Sequence, residues 1–204
     1  MPNDPPVEIV SGADDTSVVA SGDVEFALLG PLEVRRDGQP LALRRGRSRS
    51  LLTVLLLRLG RAIPADVLVQ QLWGAHPPAD AANALHVQIC YLRRALQLPA
   101  RGPAPALRTV AGGYQMDLDA DRVDLFRFER AVSAVAERPP DPSGCQAGDA
   151  LIEIRAALGL WRGEPLQDAM YQLDVAADID RLLELRTMAQ EHEIQALLEP
   201  GPPR

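Results

Sequence analysis

Leu85, Ile89, Leu92 and Leu96 are spaced four, three and four residues apart, which places them on one narrow stripe of an α-helix. Such a stripe must face a core, so residues 81–96 are committed to a helix with one buried side and one open side. The open side carries Asn83, Val87, Tyr91 and Arg94, with His86, Cys90 and Arg93 on its flanks. Amide and guanidinium groups can read base edges, and a valine can touch a thymine methyl. The same spacing occurs in any half-buried helix, so its surroundings must decide.

Those surroundings have the plan of a winged helix-turn-helix. Residues 65–73 (ADVLVQQLW) carry helical apolar spacing at Val67, Leu68 and Leu72, entered through Pro64 and stopped by Gly74. This would be the supporting helix, crossing the DNA backbone while the next helix docks in the major groove. After the second helix, residues 107–110 and 114–118 read as short strands around Ala111-Gly112-Gly113, where glycine supplies the positive φ of a tight hairpin. Arg108 and Thr109 would offer a cation and a hydroxyl to phosphate oxygens.

Several runs carry a family resemblance: FALLGPLEV at 26–34, LWG at 72–74, Pro77-Pro78, LRRAL at 92–96 and GGY at 112–114. Together they resemble an OmpR/PhoB-type DNA-binding domain and, more closely, the Streptomyces antibiotic regulatory protein family. VDLFRFERAV at 123–132 and ALGLWRGEPLQD at 157–168 look like the start of that family's bacterial transcriptional activation domain. The resemblance covers residues 24–198. It implies a mainly α fold with small β-sheets, in which a winged helix-turn-helix domain precedes an all-α, TPR-like domain. It also implies an activator that binds direct repeats near promoter −35 elements as a side-by-side dimer and recruits RNA polymerase to antibiotic biosynthesis genes.

The net charge of −7 taken alone opposes DNA binding, but it conceals a split. Residues 23–116 hold twelve arginines against six acidic residues, whereas residues 117–204 hold nine arginines against eighteen. An arginine-rich module joined to an acidic one suits a DNA binder with a separate regulatory part. All 21 basic residues are arginine. Two cysteines without a CxxC pattern argue against zinc and for a reduced, cytoplasmic setting, where a DNA-binding regulator would be nucleoid-associated. The N-terminus has no signal-peptide core, and the longest apolar run, 51–57, is too short to span a membrane.

Punctuation divides the chain into a disordered arm (1–22), the DNA-binding domain (23–118), a partial activation domain (123–198) and a tail (199–204). Strands are expected at 25–29, 32–36 and 40–43, the last two joined through Asp37-Gly38. A nearly all-apolar helix at 51–59 would be the most buried element, with Ser48 or Ser50 as its cap. Arg44, Arg45, Arg47 and Arg49 precede it and suit either a phosphate clamp or a solvated loop. The connection between supporting and docking helices is long for a helix-turn-helix, and Pro77-Pro78 stiffens it. In the resembling family this loop meets RNA polymerase, so that Ala75, His76 and Asp80 would touch a sigma factor or the α subunit. Three further helices are expected at 123–136, 147–161 and 176–198, the first burying Val123, Phe126, Val132 and Val135, with a flexible connection at 138–148. The closing PGPPR at 200–204 implies a shortened activation domain with an apolar face left to dimerise, pack back or reflect truncation.

Catalysis finds no support. His76, His86 and His192 are scattered, Glu191-His192-Glu193 is not a zinc-binding HExxH, and no GxxxxGK[ST] phosphate loop occurs. Cys90 reads as a small packing residue. No metal or cofactor is expected. The base contacts would come from Arg94 and Tyr91, then Asn83 and His86, with Val87 beside a methyl group. Arg93, Arg108 and Thr109 would hold phosphate, and the segment from Arg108 through Gly113 to Tyr114 would lie over the adjacent minor groove. The other reading is a short paralogue acting through protein contacts, as a competitor or adaptor that does not activate transcription.

Overall fold

The computed structural model describes residues 24–97, 106–138, 145–169 and 173–198. The expected arm, the tail and most of the 138–148 connection lie outside them. The first sheet is antiparallel in the order β1 (Val24–Ala27), β2 (Glu33–Arg36), β3 (Gln39–Pro40), with Phe26 opposite Val34. Asp37 and Gly38 both take positive φ (49° and 76°) and close the β2–β3 hairpin in two residues. That is the backbone an Asp-Gly pair favours.

Helix α1 (Arg47–Leu57) begins four residues before the expected start, and residues Ser48 and Ser50–Leu56 are buried in it. Neither serine caps it. The N-cap is Gly46, whose φ of 91° turns the chain into the helix without any side-chain cap bond. Ser48 instead spends its hydroxyl on the Gln88 side-chain oxygen, at 2.7 Å. Strand β4 (Ala62–Pro64), which alternation in three residues is too short to reveal, leads into α2 (Ala65–Trp73). Helix α3 (Ala81–Ala95) follows, and then the hairpin of β5 (Leu107–Val110) and β6 (Gly113–Met116). The second sheet has the order β4-β6-β5, so β6 is clamped between its hairpin partner and β4.

The remainder is helical: a 3-10 turn at Ala120–Arg122, then α4 (Asp124–Ala136), α5 (Cys145–Leu158) and α6 (Ala176–Leu198). The fold is thus a winged helix followed by a helical region. On α4 the buried set is Asp124, Leu125, Phe128 and Val132, which rotates the inner face away from the expected Phe126 and Val135. On that inner face Phe128 meets the Trp161 ring edge-on at 5.3 Å.

One hydrophobic core runs through both regions, from Val24 and Phe26 through Leu51 and Leu55 to Phe128, Ile154 and Leu182. Phe26 forms a parallel bridge with Val123. The Asp124 carboxylate accepts from the N–H of Leu28 (2.6 Å) and Leu29 (3.1 Å). Asp168 accepts from the Leu32 N–H and from Arg49, both at 2.7 Å. Arg162–Glu33 (2.8 Å) and Arg58–Asp178 (3.0 Å) add ion pairs across the same junction. The acidic half therefore docks on the basic half through specific pairs.

Candidate nucleic-acid interface

Asp80 starts α3. Its side chain accepts from the Asn83 N–H at 3.0 Å, satisfying one of the free donors of the first turn. Leu85, Ile89, Leu92 and Leu96 are all fully buried, which fixes the rotation of the helix about its axis. Asn83, His86, Val87, Cys90 and Arg94 consequently face solvent, with Val87 53% exposed. A valine exposed there can meet a thymine methyl.

The expected positions do not all remain on that surface. Tyr91 is half-buried, and its hydroxyl accepts from the Arg44 N–H at 2.9 Å while its ring lies under the Arg44 guanidinium, 5.3 Å from the centroid. It thereby holds the turn before α1. Arg93 is also turned inward: its guanidinium donates twice to the Leu107 carbonyl (3.0 and 3.1 Å) and once to Thr109 Oγ1 (3.0 Å). It ties α3 to the wing, and Thr109 keeps its O–H free to donate. These contacts are not legible from sequence position, which shows the face a residue occupies but not which neighbour its side chain reaches.

The wing is short. Ala111 and Gly112 form its tip, and Gly112 takes φ 75°. Arg108 pairs with Asp117 at the wing's base, in an exposed ion pair that a phosphate could replace. Gly113 and Tyr114 are buried and serve the sheet, not the surface. A Cβ at Gly113 would lie 2.0 Å from the Ile63 carbonyl oxygen, so the close approach of β4 requires glycine there.

Between α2 and α3, Gly74 turns at φ 56° and residues 75–80 are all exposed. Ala75 and His76 project freely from the loop, whereas the carboxylate of Asp80 is engaged in the cap. On the far side of α3 from the wing, Arg47 lies over the Trp73 ring at 5.5 Å, and Ser48 reaches Gln88. Arg49 is withdrawn to Asp168.

Two carboxyl groups at the junction differ. Burial pushes the Asp124 carboxyl above the usual carboxylate range, against the pull of the Leu28 and Leu29 amides and of Arg162. Burial acts the same way on Asp168, but Arg49, the Leu32 amide and Arg45 outweigh it and hold that carboxyl below the usual range. Neither group faces a cleft with a nucleophile. Cys90 is exposed, against the packing role read from sequence, and its sulfur lies 3.4 Å from His86 Nε2 one turn away. Among the described residues no three His, Cys, Asp or Glu side chains are grouped to hold a metal ion, and no helix is long and apolar enough to cross a membrane.

Comparison with known proteins finds the same succession of two parts. Residues 38–116 match the family described as "Transcriptional regulatory protein, C terminal", and residues 123–203 match the bacterial transcriptional activator domain. The chain is 32% identical to the regulatory protein DnrI of Streptomyces peucetius over 186 residues, which is 87% of this chain and 66% of DnrI. It is 37% identical to the transcriptional regulator RedD of Streptomyces coelicolor over 152 residues, 72% of this chain and 42% of RedD. The solved structure of Mycobacterium tuberculosis EmbR in complex with a low-affinity phosphopeptide superposes with a TM-score of 0.71 at 27% identity, covering 86% of this chain and 45% of EmbR. The chain therefore spans about two thirds or less of the length of each.

Proposed function

The chain belongs to the Streptomyces antibiotic regulatory protein family, and from that membership we propose that it activates transcription by binding promoter DNA through α3 and its wing. The relatives are transcriptional regulators, not enzymes. The observation that carries the reading is the outward face of α3, where Asn83, His86, Val87 and Arg94 stand exposed over a buried leucine-isoleucine stripe. A helix with that face fits the major groove. Arg94, Asn83 and His86 read base edges, Val87 touches a thymine methyl, and Arg108 and Thr109 hold phosphate beside the adjacent minor groove.

The sites are direct repeats near a −35 element, occupied by two protomers side by side. Ala75 and His76 in the exposed α2–α3 loop meet the polymerase sigma factor or α subunit, with Asp80 shaping the loop. The regulated genes are those of secondary-metabolite synthesis. In this reading residues 23–118 form the DNA-binding module and residues 123–198 the helical one. The test is selection of fragmented genomic DNA by the purified chain at near-physiological salt, followed by sequencing. Enrichment of a short direct repeat upstream of a gene cluster supports the reading, and salt-sensitive background binding alone overturns it. A promoter reporter then separates activation from mere occupancy.

A further inference from the structure

We infer that the turn entering α1 is a second phosphate site for duplex DNA, in which Arg44 and Arg47 hold the backbone strand on the side of α3 opposite the wing. This rests on the DNA reading above and adds to it a location and two residues.

The rotation of α3 supplies the geometry. One flank carries Arg93, which reaches the wing at Leu107 and Thr109. The other flank carries Gln88 and Tyr91, which reach Ser48 and Arg44. The outward face, with Val87 and Arg94, lies between them. A major groove is ~12 Å wide, and a helix with its side chains is ~10–12 Å across. A helix that fills the groove therefore brings whatever lies on its two flanks against the two bounding rows of phosphates. The wing is on one side and the arginine turn on the other.

The turn is built for an anion. Arg44 lies over the Tyr91 ring and Arg47 over the Trp73 ring, at 5.3 and 5.5 Å from the centroids, and both arginines are exposed. A cation–π contact of this kind holds each guanidinium against its ring while its N–H groups stay available to donate. Gly46 caps α1 without a side-chain acceptor, and the first turn of α1 contains no acidic residue. The positive end of that helix is thus left for an external negative group. Arg49 and Arg45 belong to a different task. Arg49 pairs with Asp168 at 2.7 Å, and Arg45 acts on the same carboxylate. Of the four clustered arginines, Arg49 is drawn to the junction, and of the three exposed ones Arg44 and Arg47 rest on aromatic supports, which a merely solvated loop does not require. Tyr91 is a positioning residue, holding Arg44 by its hydroxyl and its ring.

The experiment measures binding of the full chain to a selected operator duplex and to a scrambled duplex over a range of salt. The comparison is wild type against Arg44→Ala/Arg47→Ala and Arg44→Lys/Arg47→Lys. Each phosphate contact contributes about 0.9 to the slope of log affinity on log salt. The alanine pair should lower that slope by about 2, weaken both duplexes by the same factor and leave the thermal unfolding midpoint in place. The lysine pair should retain the slope. An unchanged slope in the alanine pair overturns the clamp while leaving the DNA reading intact, as does a loss confined to the operator. Failure of the wild-type chain to bind either duplex overturns the DNA reading, and the clamp with it.

Discussion

The Asp124 carboxylate accepts a hydrogen bond from the Leu28 N–H at 2.6 Å, joining the first turn of α4 to the chain leaving β1. A second bond, from the Leu29 N–H at 3.1 Å, comes to the other oxygen. Asp124 is only 2% exposed, so water cannot replace either acceptor oxygen. Each buried donor left unsatisfied costs about 1–3 kcal/mol, and Asp124→Ala should therefore lower the stability to urea by about 2–4 kcal/mol. A loss below about 0.5 kcal/mol, the range of ordinary surface substitutions, would mean that the junction does not depend on this carboxylate.

The two junction carboxyls predict opposite pH behaviour. Asp124 is raised above its unfolded value of 3.8 by burial, so the folded protein holds its proton where the unfolded chain has released it. Its contribution makes stability fall as pH rises from that value through the raised one, and reach its full penalty above it. Asp168 is held below 3.8 by Arg49 and the Leu32 amide, which together outweigh burial. It contributes stability above the unfolded value, lost as pH falls through its folded value. In urea midpoints followed from acid to neutral pH, Asp124→Asn should remove the decline on the rising side. Asp168→Asn should remove the gain on the acid side. The same sign of change in both variants would refute this assignment.

Much of the DNA-binding half was legible because its signals are local. The leucine-isoleucine stripe of α3 set that helix's rotation, and Asp37-Gly38 and Gly112 marked the two hairpins. What stayed hidden depends on contacts distant in sequence. Strand β4 exists because β6 pairs with it, and the start of α1 is fixed by a turn at Gly46 and by the reach of Ser48 to Gln88. Tyr91 and Arg93 lie near the expected face, but their partners, Arg44 and Leu107, are 47 and 14 residues away. On the inner face of α4, Phe128 packs against Trp161, more than thirty residues downstream.

Gly113 makes the wing sensitive to one methyl group. Its Cβ would stand 2.0 Å from the Ile63 oxygen, and the atom it meets is backbone in a paired strand. Gly113→Ala should cost about 1–3 kcal/mol as overpacking, measured by thermal or urea unfolding, and should weaken DNA binding by displacing Arg108. Substituting Gly112 with alanine meets no neighbour within 4 Å, but strains a φ of 75°. A Gly113→Ala protein as stable as wild type would show that β4 and β6 separate readily.

Arg94 and Arg108 should fail differently. Arg94 is exposed on the outward face of α3, whereas Arg108 sits in the wing beside Asp117. Arg94→Ala should cost about 1–3 kcal/mol on the operator and relax base preference at one position, with little effect on scrambled duplex. Arg108→Ala should weaken all duplexes alike and reduce the salt slope by about 0.9. Equal losses on both duplexes for Arg94→Ala would remove it from base reading. Competition binding against a panel of single-base operator variants makes the distinction.

Cys90 reports on the interface without any mutation. Its thiol is exposed on α3, one turn from His86 and on the flank that borders the outward face. Iodoacetamide reaches such a thiol freely, the sulfur displacing iodide and the thiol proton passing to solvent. A major-groove complex covers that flank of the helix and excludes the reagent. Mass spectrometry of the peptide containing Cys90 should therefore show alkylation slowed several-fold by operator duplex at moderate salt, and much less by scrambled duplex at the same concentration. Prior alkylation should in turn weaken operator binding, because the added carbamidomethyl group stands where the groove wall must approach. Alkylation at an unchanged rate in saturating operator would place the contact surface elsewhere than on α3, whatever the affinity.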